Sequence, residues 1–419
     1  MTMTDIKKTF SRRKLLKSMV ALPIMASGIA GSKSLFAKPA TSEINTTGLA
    51  VTDDTVKVGI LHSLTGTMAI SETGSVEAET LAIEQINEMG GILGRKLEII
   101  TEDGASDWPT FAQRARKLLR EDKVASIMGC WTSASRKAVL PVLERENGLL
   151  YYPTFYEGLE QSPNVIYTGQ EATQQVLASL NWLYNEKGVR SFYLVGSDYI
   201  WPRTTMKIAR IHIEQHLDGA SVVGEDYAPL GHTSFGSMIN RIRLRRPDAI
   251  YGAVVGGSNV AFFRQLVSAG LDGSNQTLLN LATTEDEVLG IGGENVEGFY
   301  SSMKYFQSLD NENNQEFVRA FKDRWGEDSV IGDVTQAAYL GPWLWKEAVE
   351  RAGSFDVDKV TAHSPGIELN QAPEGYVKVH DNHHLWSKTR IGQWRRDGQA
   401  DVVWESDLIE PDPFPEGYQ

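Results

Sequence analysis

Short apolar runs alternate with segments of helical periodicity from residue 55 to residue 281. The apolar runs predict strands, because about four to eight apolar residues between polar turns suit a strand buried on both faces. Between the runs, apolar residues recur three and four positions apart, as on the buried face of a helix. The predicted strands are residues 56–61, 97–99, 124–128, 149–152, 192–195, 221–227, 249–255 and 277–281. This alternation predicts an α/β fold.

The strand–helix alternation forms two series, the second of which starts near residue 172. Alternating units of this kind place their strands parallel in one sheet, so two series predict two parallel sheets and two lobes. In such sheets, ligands bind beyond the carboxyl ends of the strands. The last third of the chain adds helical faces at 317–325 and 337–349 and a hairpin over 391–404.

The segment 129–138 (GCWTSASRKA) lies between a predicted strand and a predicted helix. It brings an indole, three hydroxyls and the N–H groups of a helix start to one turn, which suits a small polar ligand. The alternative is that Thr132, Ser133 or Ser135 caps the helix while Trp131 packs in the core.

Similar turns follow strands in both series. Each of them alone is more often a helix cap or a tight turn, but their shared position favours a binding cleft between two lobes. These turns are residues 63–66, 153–156, 196–199, 256–259 and 283–285.

Motifs for catalysis and for cofactor binding are sparse. Residues 290–293 (GIGG) lack the strand and the spacing of a dinucleotide-binding turn, and the sequence has no phosphate loop, zinc-protease motif or nucleophile elbow. His380, His383 and His384 cluster in a polar segment without a cysteine or carboxylate array, which favours structural roles over metal binding. We therefore predict a protein that is not an enzyme and needs no cofactor or metal.

The first 37 residues differ from the rest of the chain. Six Lys and Arg residues between positions 7 and 17 precede an apolar run at 19–30 and small residues, with a cleavage point near Ala37. This order is typical of a secretory signal. Residues 11–17 (SRRKLLK) resemble a twin-arginine export signal, with Leu15 where Phe is usual. We therefore expect a folded protein exported to the periplasm, with a flexible leader at 38–54.

Charge and cysteine content limit the partners. Residues 1–37 carry seven Lys and Arg and one Asp, so their removal takes the net charge from −13 to −19. Such acidity disfavours nucleic acids and anionic membranes, and no apolar run approaches the roughly 20 residues that span a bilayer. Because Cys130 is the sole cysteine, we expect neither an internal disulfide nor an N-terminal lipid anchor.

Several long segments carry a resemblance to one family. They are residues 58–72 (VGILHSLTGTMAISE), 102–118 (EDGASDWPTFAQRARKL), 129–142 (GCWTSASRKAVLPV) and 372–386 (APEGYVKVHDNHHLW). Together they resemble the periplasmic substrate-binding proteins of urea ABC transporters. This resemblance implies two Rossmann-like lobes with parallel central sheets, three inter-lobe crossings near residues 171, 304 and 384, and a ligand in the interlobe cleft. The implied lobes are 55–171 with 305–384, and 172–304 with 385–419.

The resemblance implies a solute-binding component that delivers urea to membrane permease subunits, with ATPase subunits as indirect partners. Two positions depart from the urea binders, which commonly have Gln where Phe155 stands and an Asp after the glycine at Gly256. The turn at 153–158 (PTFYEG) instead resembles binders of short-chain amides. A short-chain aliphatic amide or another urea-like compound, for uptake or for sensing, is therefore the alternative ligand.

The chemistry of urea suggests how the strand-end residues contribute. Each carbonyl or N–H group of a buried ligand that stays unpaired costs about 1–3 kcal/mol. We expect Ser133 to meet the carbonyl, Thr154 and Asp198 to accept N–H groups, and aromatic rings to form the walls. Asp198 could instead cap the next helix, and Tyr152 could belong to the core. The candidate ligand contacts are Trp131, Thr132, Ser133, Tyr152, Thr154, Asp198, Tyr199 and Gly256.

Overall fold

The first of two large sheets is wholly parallel, in the order β2-β1-β3-β4-β5. The computed structural model describes residues 38–418, so the export signal predicted at 1–37 lies outside the described residues. The strands are β1 (Thr55–His62), β2 (Lys96–Asp103), β3 (Ile127–Gly129), β4 (Leu150–Tyr152) and β5 (Val165–Tyr167). The accompanying helices are α1 (Thr41–Ile44), α2 (Ala69–Glu88), α3 (Trp108–Arg120) and α4 (Ser133–Glu146).

The second sheet has the order β15-β14-β10-β9-β8-β6-β7, and within it β14 runs antiparallel to both of its neighbours, β10 and β15. Its strands are β6 (Ser191–Ser197), β7 (Ser221–Ala228), β8 (Ala249–Ala253), β9 (Thr277–Asn280), β10 (Tyr300–Met303), β14 (Arg390–Trp394) and β15 (Ala400–Glu405). The helices within this series, after a π-helical turn at Thr173–Leu177, are α5 (Ala178–Asn185), α6 (Ile200–His216), α7 (Gly236–Arg245), α8 (Gly257–Ser268) and α9 (Glu285–Ile291). A 3-10 turn at Gly293–Asn295 follows α9.

The chain returns to the first sheet between β10 and β14. This part contains α10 (Glu312–Trp325), α11 (Asp333–Ala352), α12 (Val357–His363) and a small antiparallel sheet of β11 (Glu368–Ala372), β12 (Gly375–Val379) and β13 (Leu385–Trp386). Helix α11 packs on α2, β3 and β4. The predicted α/β fold with two lobes and parallel sheets is confirmed. Within residues 38–418, no helix combines the length and the apolarity needed to cross a membrane.

Part of the segment 38–54, which we predicted to be a flexible leader, packs against the rest of the chain. Ile44 is 2% exposed, and Val51 pairs with Val56 at the start of β1. The Thr46 backbone N–H donates to the Asp356 carboxylate over 2.7 Å. The apolar residues of this segment are too few and too widely spaced to form a periodic pattern, so the sequence did not reveal their burial.

The carboxyl ends of β1, β3 and β4 meet at one edge of the first sheet. The sheet register pairs Leu61 with Gly129, and the Cys130 N–H donates to the Leu61 carbonyl over 2.8 Å. Only glycine fits at position 129, because a Cβ there would lie 2.1 Å from that carbonyl oxygen and φ is +144°. The close approach brings the end of β1 directly beside the turn that contains Trp131.

Candidate ligand-binding site

The turn after β3 combines a helix cap with an enclosed indole. Thr132 is the N-cap of α4, and its hydroxyl accepts from the Ser135 N–H over 3.0 Å. Trp131 is 2% exposed and packs edge-on against Phe155, with 5.8 Å between the ring centroids. The Trp131 Nε1–H nevertheless has no hydrogen-bond partner among residues 38–418. Capping therefore accounts for Thr132, whereas packing leaves the indole donor of Trp131 unused.

Ser133 belongs to a buried, charge-balanced cluster. Its hydroxyl donates to Glu157 Oε2 over 2.5 Å and accepts from Arg136 Nη1 over 3.2 Å. The Arg136 guanidinium also donates through Nε to Glu160 over 2.6 Å. Burial opposes the ionised form of Glu160, but Arg136 and Lys137 outweigh it and lower the pKa of Glu160 to about 2. Two cations thus balance two carboxylates around Ser133.

Glu157 keeps one carboxylate oxygen without a hydrogen bond. Its side chain is 2% exposed, and Oε1 lies 3.6 Å from Arg136 Nη2, beyond hydrogen-bond distance. No other group in the described part of the chain bonds to this oxygen. The Thr154 hydroxyl, three residues earlier in the same turn, is also buried and has no partner there. A buried acceptor and a buried hydroxyl are therefore available to a bound molecule.

Tyr152 holds the two strand-end turns together. Its hydroxyl donates to the Trp131 carbonyl over 2.7 Å, and the Arg136 guanidinium lies 4.6 Å from its ring centroid. Tyr152 is completely buried. It therefore holds the backbone of Trp131 in place and also forms part of the core. The sequence had left open whether Tyr152 belongs to the site or to the core, and its contacts fit both.

The second sheet contributes an aromatic wall after β6. Trp201, at the start of α6, lies 5.3 Å from Phe155 between ring centroids and 6.4 Å from Tyr199. Burial, followed by the fields of Tyr152 and Glu157, raises the pKa of Tyr199 well above its usual value. Tyr199 therefore lies close to the cluster of the first sheet, and the lobes meet through aromatic rings.

Asp198 does not join this group. Its side chain is 45% exposed and pairs with Arg203 at 2.8 Å. The ion pair holds the carboxylate at the surface, so the structure gives no support to its expected role as an acceptor for the ligand. Its neighbour Tyr199 instead contacts Trp201, which packs on Phe155 of the other lobe.

Gly256 forms the contact between lobes on the other side. The Gly257 N–H donates to the Thr67 carbonyl over 3.1 Å, joining the turn after β8 to the segment before α2. Gly256 has φ +60° and ψ −146°, a conformation that essentially only glycine adopts. A Cβ at this position would lie 2.8 Å from the Thr67 oxygen and 2.9 Å from Met68 Sδ. Gly256 therefore permits close approach of the lobes.

Comparison with known proteins identifies the family. Residues 56–419 match the model of the family described as periplasmic binding protein domain. The chain belongs to the periplasmic binding protein family. A leucine-, isoleucine-, valine-, threonine- and alanine-binding protein of Pseudomonas aeruginosa is 24% identical over 366 residues, covering 84% of this chain and 92% of that protein. A solute-binding protein of an ABC transporter from R. palustris, in complex with 4-hydroxybenzoate, superposes with a TM-score of 0.78 at 21% identity, covering 87% of this chain and all of that one.

One relative that matches a shorter part of the chain is named as a different kind of protein. A limonene hydroxylase of Geobacillus stearothermophilus is 38% identical over 117 residues, which span 28% of this chain and 21% of that protein. This chain therefore covers about a fifth of the length of that relative. The match over 56–419 covers a far larger part of the chain, and it is the one that assigns the family.

Three residues of this periplasmic binding protein contribute to the site but were not among our candidates. They are Arg136, Glu157 and Trp201, which supply the buried cation, the free carboxylate oxygen and the indole against Phe155. Arg136 and Glu157 stand inside turns that the sequence analysis singled out, and Arg136 follows Ser133 by one helical turn. A search for opposite charges within neighbouring turns would have found this pair.

The clustered histidines have separate protein partners. His384 stacks on Tyr167 with 4.3 Å between ring centroids, and its Nε2 accepts from the Tyr156 hydroxyl over 2.5 Å. Burial lowers the pKa of His384 to about 3, so the ring is neutral. His380 bonds to Glu410 over 3.0 Å. Residues 38–418 contain no group of three His, Cys, Asp or Glu side chains arranged to hold a metal ion.

Proposed function

We propose that this periplasmic binding protein captures urea for an ABC importer and delivers it to the permease subunits. One observation carries the proposal. The site holds an unpaired donor at Trp131 Nε1, an unpaired hydroxyl at Thr154 and an unpaired acceptor at Glu157 Oε1, all buried. A small molecule with a carbonyl oxygen and N–H groups pairs with this set, and each pair formed removes a desolvation cost of about 1–3 kcal/mol.

The balance of charge favours a neutral ligand. Arg136 and Lys137 offset Glu157 and Glu160, and Asp198 is engaged at the surface with Arg203. A zwitterionic amino acid, as bound by the Pseudomonas relative, or the 4-hydroxybenzoate of the R. palustris protein would bring a carboxylate, whereas Arg136 and Lys137 already bond to Glu160. A neutral amide-type ligand needs no such partners.

The observed hydrogen bonds change the role expected of Ser133. Because its proton is donated to Glu157, its remaining lone pair is suited to accept a ligand N–H rather than to bind the carbonyl. The carbonyl is then assigned to Trp131 Nε1–H and the Thr154 hydroxyl. Tyr152, Phe155 and Tyr199 line the site.

Short-chain aliphatic amides are the second candidate ligands. Phe155 packs between Trp131 and Trp201, so it adds apolar surface where an alkyl group can lie. An amide also has the carbonyl and N–H groups that this site pairs. The two candidates differ in whether the second substituent on the carbonyl carbon is an amino group or an alkyl group.

Isothermal titration of residues 38–419 with urea, formamide, acetamide, isoleucine and 4-hydroxybenzoate tests the proposal. We expect urea to bind most tightly and the two charged ligands not to bind. Asp198→Ala serves as a control and should leave the urea affinity within about twofold, since the ion pair with Arg203 lies at the surface. Tighter binding of acetamide than urea would favour the amide alternative, and binding of isoleucine alone would refute both.

The cellular part of the proposal has its own measurement. We propose export through the twin-arginine route and cleavage near Ala37, with the mature protein in the periplasm. N-terminal sequencing of the protein from a periplasmic extract should begin just after residue 37. Recovery of the uncleaved chain from the cytoplasm would refute the proposed export and cleavage. The proposed ligand would still be decided by the titration experiment.

A further inference from the structure

A second buried carboxylate with a free oxygen lies at the end of β1. Glu72, in the first turns of α2, accepts on Oε2 from the Ser63 N–H over 2.7 Å and from His62 Nδ1 over 3.3 Å. The other ring nitrogen of His62 bonds to Glu79 over 3.1 Å. All three side chains are at most 1% exposed. Glu72 Oε1 has no hydrogen-bond partner within the described range.

This group adjoins the proposed ligand site. His62 follows Leu61, whose carbonyl accepts from Cys130 immediately before Trp131. The residue just before α2, Met68, faces Gly256 of the other lobe. The field of Glu72 also acts on Tyr199, together with that of Glu157. Glu72, which is bonded to the end of β1, and Glu157, in the turn after β4, therefore belong to the same edge of the first sheet.

The two carboxylates have the same pattern of hydrogen bonds. Each uses Oε2 for a protein hydrogen bond and leaves Oε1 without one. Each also lies beside a buried cation, which is His62 for Glu72 and Arg136 for Glu157. Because both ring nitrogens of His62 face carboxylate oxygens, which can only accept, both nitrogens carry protons. Two carboxylate oxygens that lack hydrogen-bond partners suit a ligand with two N–H-bearing groups.

We propose that Glu72 is a second ligand acceptor, and that the pair Glu72 and Glu157 selects molecules with two amino groups on one carbon. The inference rests on the proposed function and specifies its ligand class as urea-like diamino compounds rather than monoamides. His62 acts as a positioning residue, since it reaches the ligand only through Glu72. In this arrangement Trp131 Nε1–H donates to the carbonyl oxygen of urea. Each of its two amino groups donates to one of the two carboxylates, so all three polar groups of urea are paired.

The test compares urea with acetamide, which has a single amino group, in the wild type and in Glu72→Gln. Glutamine keeps the size of the side chain but presents an N–H donor where Oε1 accepted. We expect the urea dissociation constant to rise at least about tenfold, as for loss of a charge-assisted hydrogen bond, and the acetamide constant to change less than about threefold. Glu84→Gln is the matched control, because Glu84 lies on the same helix and pairs with Arg324 at the surface.

The outcomes separate the inference from the proposed function. If the wild type binds urea and Glu72→Gln binds it equally well, or loses both ligands equally, the inference is overturned and the proposed function stands. If the wild type does not bind urea, both are overturned. Should Glu72→Gln unfold below 37 °C, Glu72→Asp replaces it, since aspartate keeps the charge and withdraws the oxygen by one methylene. The same selective loss of urea binding is then expected.

Discussion

Replacing Arg136 with methionine would remove the cation that organises the proposed site. The guanidinium is fully buried, bonds to Glu160 over 2.6 Å and lies 3.6 Å from Glu157. Methionine fills similar space without charge. The substitution therefore leaves two carboxylates, 2% and 8% exposed, without their buried counter-ion.

Removing one partner of a buried ion pair costs about 3–5 kcal/mol, because the remaining charge stays desolvated. We expect a loss of this size for Arg136→Met at pH 7, which is a large part of the stability of a typical domain. The loss should shrink in acid. Arg136 lowers the pKa of Glu160 to about 2, so its stabilisation is present above the ordinary pKa of 4.5 and is lost as pH falls toward 2.

Thermal unfolding followed by circular dichroism at pH 7 and pH 3 measures this effect. Heat is the appropriate denaturant, since urea is the proposed ligand. Lys137→Met is the control: Lys137 also bonds to Glu160, over 2.8 Å, but is 39% exposed, so its loss should cost at most about 1 kcal/mol. Unchanged stability of Arg136→Met at pH 7, or an equal loss at both pH values, would refute the charge-balance argument.

Three further predictions concern the indole, the contact between lobes and the buried histidine. Trp131→Phe removes the unpaired Nε1–H, so the urea dissociation constant in calorimetry should rise about twofold to tenfold with little change in melting temperature; an unchanged constant would exclude this donor from the site. Gly256→Ala places a Cβ 2.8 Å from the Thr67 oxygen, so every ligand should bind more weakly and small-angle scattering should show a more open form; wild-type affinity would contradict a role in closure. Burial alone would lower the pKa of His62, but Glu79 and Glu72 raise it to about 9. The same two carboxylates also act on the Cys130 thiol, whose pKa is raised mainly by burial. The stability from His62 should therefore be complete below pH 6.5 and be lost as pH rises through 9, a slope that His62→Gln should abolish in melting curves.

The hydrophobic pattern predicted the fold because the buried strands of a parallel sheet are continuous apolar runs. Residues 56–61 and 249–255 coincide closely with β1 and β8. The start of α4 was predicted too late, near Val139, because residues 133–137 are mostly polar. Their polarity reflects the cap and the buried ion cluster, which a pattern of hydrophobic positions does not detect.

The site was less predictable than the fold. Position after a strand suggested Trp131, Ser133 and Tyr199 as site residues, since the carboxyl ends of parallel strands share one edge, and their roles in binding stay predictions. It also suggested Asp198, whose partner, Arg203, lies one turn along the following helix. Which of two adjacent residues turns inward depends on such local ion pairs, and these depend on side-chain geometry rather than on residue type.

The unpaired polar atoms couple ligand binding to the contact between lobes. Trp131 Nε1 and Glu157 Oε1 are shielded from solvent in the structure with the lobes in contact, and each costs about 1–3 kcal/mol if it stays unpaired. If the lobes separate, water can satisfy both atoms, so we expect the unliganded protein to favour separation. A ligand that pairs with them removes the cost only in the closed form and therefore stabilises closure by its differential affinity for that form. The aromatic contact of Phe155 with Trp201 and the hydrogen bond from Gly257 to Thr67 belong to this closed form, and under the proposed function they would shape the surface that meets the permease.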